Sequence, residues 1–189
     1  MAPAHYPVGV IHGRFQVLHN DHLRYLLAGW ELCEHLVVGI TNPDPSLTRV
    51  ESADPGRSEP GANPLTYFER QTMIREVLAE AGLPSSALSV VPLPINVPEL
   101  YAHYVPLDAV FLLTIYDAWG REKRTRFEAL GLKVHVLWER SQAAKGINAG
   151  EVRRAMRDRL PWEHLVPPAT ARLARQWALP ARLRRESII

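Results

Sequence analysis

At 189 residues the chain is long enough for one domain with a substantial core, and 47% of its residues are hydrophobic. Its 22 basic and 20 acidic residues leave a formal net charge of +2, too balanced to argue for a nucleic-acid partner. The single cysteine, Cys33, excludes an intrachain disulfide, no apolar run reaches membrane-spanning length and the N-terminal residues lack a signal-peptide layout, so a cytoplasmic protein without membrane contact is expected.

In chain order, the first strand is VGVIHG at residues 8–13. A helix over residues 21–34 follows, with Leu23, Leu26, Leu27 and Trp30 on one face. HLVVGI, residues 35–40, is the second strand. Residues 42–64 are rich in Pro, Gly, Ser and Asp and carry no periodic apolar face. A loop of this length leaving a strand end is a lid over a site or plain surface disorder, and both stay open. Thr66 with Glu69 three residues on is a capping-box signature, and Met73, Ile74, Val77 and Leu78 form the apolar face of the helix it starts. ALSVVPL at 87–93 and DAVFLLTI at 108–115 give the third and fourth strands. A helix over 117–130, the strand KVHVLW at 133–138 and helices over 149–159 and 167–177 complete the pattern. The ending ARLRRESII, with Arg182, Arg184 and Arg185, has the look of a solvated tail. Compact β-branched strands alternating with helices imply one α/β domain over residues 1–189, a doubly wound parallel sheet of about five strands with C-terminal helices.

The chemistry concentrates in GRFQVLHNDHLRYL, where the first strand hands over to the first helix. His19 and His22 at that junction admit three roles. They are structural caps, or metal ligands, or donors to an anion. A zinc site needs three or four convergent donors, and the remaining histidines are scattered, so no metal ligand is assigned. A helix N-terminus already offers free amides and a positive dipole end, and Arg14 with two imidazoles adds to it a cradle for a polyphosphate.

GRFQVLHNDH resembles the GRFQP-x-H-x-G-H segment of the His-x-Gly-His nucleotidyltransferase superfamily, and KGINAGEVRRAM resembles its Ser-x-Thr-x-x-Arg segment. NPLTYFERQTMI and PWEHLVP are similar to segments of archaeal-type nicotinamide mononucleotide adenylyltransferases. The resemblance covers nearly the whole chain in order. It implies a Rossmann-like fold that moves a nucleotidyl group from a nucleoside triphosphate, with ATP expected, to a small phosphorylated acceptor and releases pyrophosphate. His19, His22 and Arg153 would then be catalytic. Gly13, Arg14, Phe15, Lys145, Asn148 and Gly150 would bind the nucleotide and its phosphates, and Thr41, Asn42 and Tyr101 the acceptor. Mg²⁺ on the triphosphate is implied as the cofactor, and family members often form homo-oligomers.

Three departures from the family pattern bear on this expectation. The motif glycine is Asp21, whose carboxylate would repel a triphosphate by about 4 kcal/mol at 4 Å and an effective dielectric near 20 unless it points away or is paired. It is expected to point away as the helix cap. Asn148 and Gly150 replace two hydroxyl residues. Pro98 and Tyr101 stand where archaeal-type enzymes carry an Asn and a Trp that recognise nicotinamide, and TIYDAWG lacks their Gly-Asn. A CTP-dependent cytidylyltransferase acting on a phosphorylated metabolite or phosphonate is therefore the alternative, and a nucleotide-binding module without catalysis is the alternative of another class. Tyr67 and Phe68 are candidates for the border of the acceptor pocket, whereas Cys33 and Trp162 are expected to pack.

Overall fold

The computed structural model describes residues 5–48, 60–144 and 146–185. Its strands are β1 (Tyr6–Gly13), β2 (Cys33–Ile40), β3 (Leu88–Pro92), β4 (Val110–Ile115) and β5 (Lys133–Glu139). They form one sheet in the order β3-β2-β1-β4-β5, and every neighbouring pair is parallel. The helices are α1 (Asn20–Trp30), α2 (Tyr67–Glu80), α3 (Ala118–Ala129), α4 (Ala149–Arg157), α5 (Pro168–Gln176) and α6 (Leu179–Arg185).

Strand alternation sends β1 side chains into two cores. Ile11 joins Leu26, Leu36, Met73, Val152 and Leu173 on the face covered by α1, α2 and the C-terminal helices. Val10 joins Val37, Leu93, Tyr101, Phe111 and Phe127 on the face covered by α3. The order of connections reverses at β1. Its neighbours are β2, the next strand in sequence, and β4, reached only after β3. The crevice at the C-terminal ends of β1 and β4 is therefore a topological switch point, the place where open α/β sheets bind ligands.

Most element ends lie within two residues of the sequence expectation, and two regions depart from it in a way that matters. Helix α1 stops at Trp30, and β2 begins at Cys33, because Cys33 is needed in the sheet. Its buried thiol donates to the Gly29 carbonyl at 3.4 Å and packs against Gly9, where an added Cβ would lie 3.0 Å from Sγ. Residues 179–185 form α6 rather than a free tail, and residues 186–189 lie outside the described residues. Leu179 and Leu183 are buried on α6, and Arg182 bonds both Glu69 and the Pro64 carbonyl. Glu69 keeps its expected capping role as well, accepting from the Thr66 amide at 2.8 Å.

Candidate active site

A cavity of about 290 Å³ opens at the switch point. His19 is the N-cap of α1, and the two motif histidines cap each other. The His22 amide donates to His19 Nδ1, and the His19 amide donates to His22 Nδ1, both at 3.4 Å. Their rings stack with centroids 3.7 Å apart and an interplanar angle of 23°. Because each Nδ1 accepts, the proton of the neutral ring sits on Nε2. The structural and anion-binding roles of the pair are thus compatible: one nitrogen of each ring caps the helix while the other carries an N–H. Among the described residues no three His, Cys, Asp or Glu side chains form a metal-ligand group.

Asp21 is not the helix cap. It lies in the first turn of α1, lines the cavity and pairs through Oδ1 with Arg24 Nη1 at 3.4 Å. Its other oxygen presses on Gly146, where an added Cβ would sit 2.1 Å from Oδ2. The correction has a plain cause. His19 occupies the cap, so the Asp21 carboxylate is turned to Arg24 and to the strip of backbone that only glycine leaves open.

Gly13, Arg14, Phe15 and Thr41 line the cavity along the ends of β1 and β2, and the Thr41 amide donates to the Gly13 carbonyl at 2.9 Å. Phe15 and Asn42 both adopt left-handed backbone, with φ of 51° and 48°. What holds them is Arg70, 2% exposed on α2. Its guanidinium donates to the carbonyls of Arg14 at 3.1 Å, Thr41 at 2.8 Å, Asn42 at 2.8 Å and Pro43 at 3.1 Å. Burial lowers its pKa to about 10, which still leaves it charged at neutral pH. Gln16 makes a second tie across the loop. Its amide side chain accepts from the Leu65 amide at 2.8 Å and donates to the Leu65 carbonyl at 2.9 Å. Both ends of the 42–64 segment are thereby fastened to the site, and residues 49–59 of the expected lid lie outside the described residues.

Helix α4 brings up the second motif. Asn148 caps it in a reciprocal box with Glu151 and lines the cavity with Gly146, Ile147 and Ala149. Gly150 is the next residue on that helix and does not line the cavity. Arg153 Nη1 donates to the Gln16 carbonyl, and its Nη2 lies 4.0 Å from where a Cβ on Gly150 would be. Burial lowers the Arg153 pKa. Arg153 thus clasps the GRFQ loop rather than lining the cavity. Lys145 lies outside the described residues.

Tyr101 is absent from the cavity lining. It is buried in the α3-side core with its hydroxyl donating to the Ile95 carbonyl at 2.6 Å. Burial pushes its pKa up to about 12. Asn42 likewise offers its backbone to Arg70 and is absent from the cavity lining, and neither Tyr67 nor Phe68 borders it. Residues from outside the motifs take up the lining. Tyr116, Asp117, Trp119 and Lys123 come from the turn after β4 and from α3, and Trp138 from β5. Trp138 donates to the Tyr116 hydroxyl at 2.7 Å, and the Asp117 carboxylate caps α3 by accepting from Gly120 at 2.9 Å. Tyr116, Asp117 and Trp119 fall in TIYDAWG, the segment without the family's Gly-Asn, whereas Lys123 within α3 and Trp138 within β5 carried no signal in the sequence.

A parallel sheet with imidazoles, a helix N-terminus and an arginine at its switch point defines a nucleotide-handling α/β protein. The comparisons narrow that class. No family model matches the chain. It is 51% identical over 176 residues to the phosphonoformate cytidylyltransferase of Streptomyces viridochromogenes, covering 93% of this chain and 95% of that one. It is 30% identical over 170 residues to the nicotinamide-nucleotide adenylyltransferase of Thermococcus kodakarensis, covering 89% and 82%. Among solved structures it shares the fold of a bifunctional NMN adenylyltransferase/ADP ribose pyrophosphatase from Francisella tularensis at TM-score 0.67 and 14% identity. That match covers 96% of this chain and 53% of the other, so the chain spans about half of the bifunctional protein. The nicotinic acid mononucleotide adenylyltransferase of Plasmodium falciparum aligns at TM-score 0.53 and 10% identity, over 94% of this chain and 98% of that one. The chain belongs to the nucleotidyltransferase superfamily that contains these cytidylyl- and adenylyltransferases, and it is an enzyme of that kind.

Proposed function

We propose that the enzyme transfers a cytidylyl group from CTP to a small phosphonate that carries a second acid group, phosphonoformate being the model acceptor, and releases pyrophosphate. The observation that carries this reading is the burial of Tyr101. The residue aligned with the nicotinamide-stacking Trp is packed in the core, and Pro98 beside it has no amide side chain to read a carboxamide. The likeness to the streptomycete enzyme over nearly the full length of both chains supports it. Adenylyl transfer to nicotinamide mononucleotide, the reaction the motif resemblance favours, is the second reading, and the likeness to the Thermococcus kodakarensis enzyme supports it.

In the proposed reaction a phosphonate oxygen attacks the α-phosphorus of CTP. A new phosphorus–oxygen bond forms as the bond to the β-phosphate oxygen breaks, and the electron pair leaves with pyrophosphate. The attacking oxygen is already anionic, so no proton has to be removed, and catalysis is positioning and charge stabilisation. His19 and His22 donate from Nε2 to the triphosphate and to the charge growing on pyrophosphate. Arg14 adds a cation at the cavity wall. Arg153 and Arg70 hold the loop that presents these groups. Of the two carboxylates in the lining, Asp117 caps α3, and Asp21, in the first turn of the histidine helix, would help hold an Mg²⁺ carried in on the triphosphate. Such an ion would neutralise phosphate charge.

Incubation of CTP and ATP, each with phosphonoformate, nicotinamide mononucleotide and nicotinate mononucleotide, tests the reading by mass spectrometry of the products. The cytidylyl adduct of phosphonoformate is expected as the dominant product. A specificity constant at least tenfold higher for ATP with nicotinamide mononucleotide would establish the second reading instead.

A further inference from the structure

His12 ends the buried stretch of β1, on the same side of the strand as Val10 and therefore on the α3 face of the sheet. Its ring packs against Phe127, with centroids 5.5 Å apart. It is 6% exposed, it lines the cavity, and neither ring nitrogen has a hydrogen-bond partner. Leaving a buried polar atom unpaired costs about 1–3 kcal/mol, so an orphaned pair of nitrogens at a cavity wall calls for a ligand that meets them. The lining on this side of the opening also includes Thr41, Ile95, Trp119, Lys123 and Asp117, whose carboxylate accepts from the Gly120 amide at the start of α3. They lie across the sheet from His19 and His22, whose helix covers the opposite face. The cavity thus has a triphosphate side under α1 and α4 and a second side under α3. Burial, and secondarily the charge of Lys123, hold the His12 pKa well below 6.5. A neutral ring offers one N–H and one lone pair.

We propose that His12 binds the non-reacting acid group of the acceptor, donating its ring N–H to a carboxylate on the α3 side while the phosphonate faces His19 and His22. This assignment rests on the function proposed above. It also explains how an acceptor with no aromatic ring is gripped. One imidazole donor with a lysine cation on the same wall suits a compact polyanion, whereas a stacked pyridine would leave the nitrogens of His12 unmet.

His12→Phe keeps a ring against Phe127 and removes both nitrogens. The test compares KM for phosphonoformate, the affinity for CTP by calorimetry, and the ring ¹⁵N shifts of wild-type His12 as phosphonoformate is added with a non-hydrolysable CTP analogue. A rise in KM of about tenfold or more is expected, in the range for losing a hydrogen bond to a charged group, with CTP affinity within about threefold and a clear shift at His12. His12→Asn, which retains an N–H donor and packs less tightly, is expected to lie between wild type and His12→Phe and serves if the Phe variant does not fold. An unchanged KM, an equal loss of CTP affinity or an unmoved His12 resonance would overturn the assignment while leaving cytidylyl transfer intact. Absence of product from CTP and phosphonoformate in the wild type would overturn the functional reading. The His12 resonance, followed with whichever acceptor is then used, would decide the assignment by itself: an unmoved ring overturns it, and a shifted ring supports acceptor contact.

Discussion

In the proposed reaction His22 uses both nitrogens of one ring. Nδ1 accepts from the His19 amide and closes the cap of α1, and Nε2–H would donate a hydrogen bond to a triphosphate oxygen. His22→Ala is expected to lower kcat by about 10²-fold, as for loss of one oxyanion-type donor, and stability by about 1 kcal/mol, as for loss of a cap. Steady-state kinetics and urea unfolding read the two effects separately. Arg70 does comparable work without lining the cavity. Arg70→Lys replaces a planar fork with a point charge that cannot reach the carbonyls of Arg14, Thr41, Asn42 and Pro43 together. A loss of about 3 kcal/mol of stability is expected from the unpaired buried acceptors, and calorimetric unfolding checks it. His12 adds a pH dependence. Its pKa is depressed in the folded state from the ordinary 6.5, so its contribution is fully present above that pH. As pH falls below it the unfolded chain binds a proton that the folded chain refuses, and stability declines by up to about 1.4 kcal/mol per pH unit. His12→Phe is expected to flatten the stability curve between pH 6.5 and 5 relative to wild type.

At the scale of elements the site is a set of helix starts brought to one sheet edge. Asp21 in the first turn of α1 and Gly146 before α4 fit each other, and a Cβ on Gly146 would overlap the carboxylate. Gly146→Ala is expected to cost activity at least tenfold. Asp21→Gly, which restores the residue usual in the motif, is expected to recover most of that loss in the double variant. A double-mutant cycle on kcat/KM checks the coupling. These helix starts were legible in the sequence wherever a local signal existed. Thr66 with Glu69 and Asn148 with Glu151 are reciprocal caps in the structure, and the five apolar runs are its five parallel strands. The cap of α1 was not legible as such, since histidine is an uncommon cap and Asp21 is a common one. The exit of α1 was misplaced because Cys33 and Glu34 fit a helix as readily as a strand, and pairing with β1 decides for the strand. Arg70 gave no local sign at all. Its role is a tertiary one, bonding carbonyls far away in sequence, and no periodicity encodes that. Tyr101, expected at the acceptor, packs against Phe127 in the core, a tertiary contact that no periodicity encodes either.

For the whole molecule, the doubly wound order puts one cavity astride the sheet, with α1 and α4 on one side and α3 on the other. The triphosphate motifs therefore report only half of it. His12 and Lys123 on the α3 side belong to no motif, so the resemblance assigned them no role. The central claim is that both substrates meet in this cavity and that the acceptor attacks CTP directly. Phosphorus NMR of a reaction holding CTP and phosphonoformate with catalytic enzyme tests it most directly. The account predicts that the α-phosphorus signal of CTP and the phosphonate signal vanish together, replaced by one coupled phosphonate–phosphate pair and an equal amount of pyrophosphate. Release of CMP and pyrophosphate at the same rate with and without phosphonoformate would contradict it.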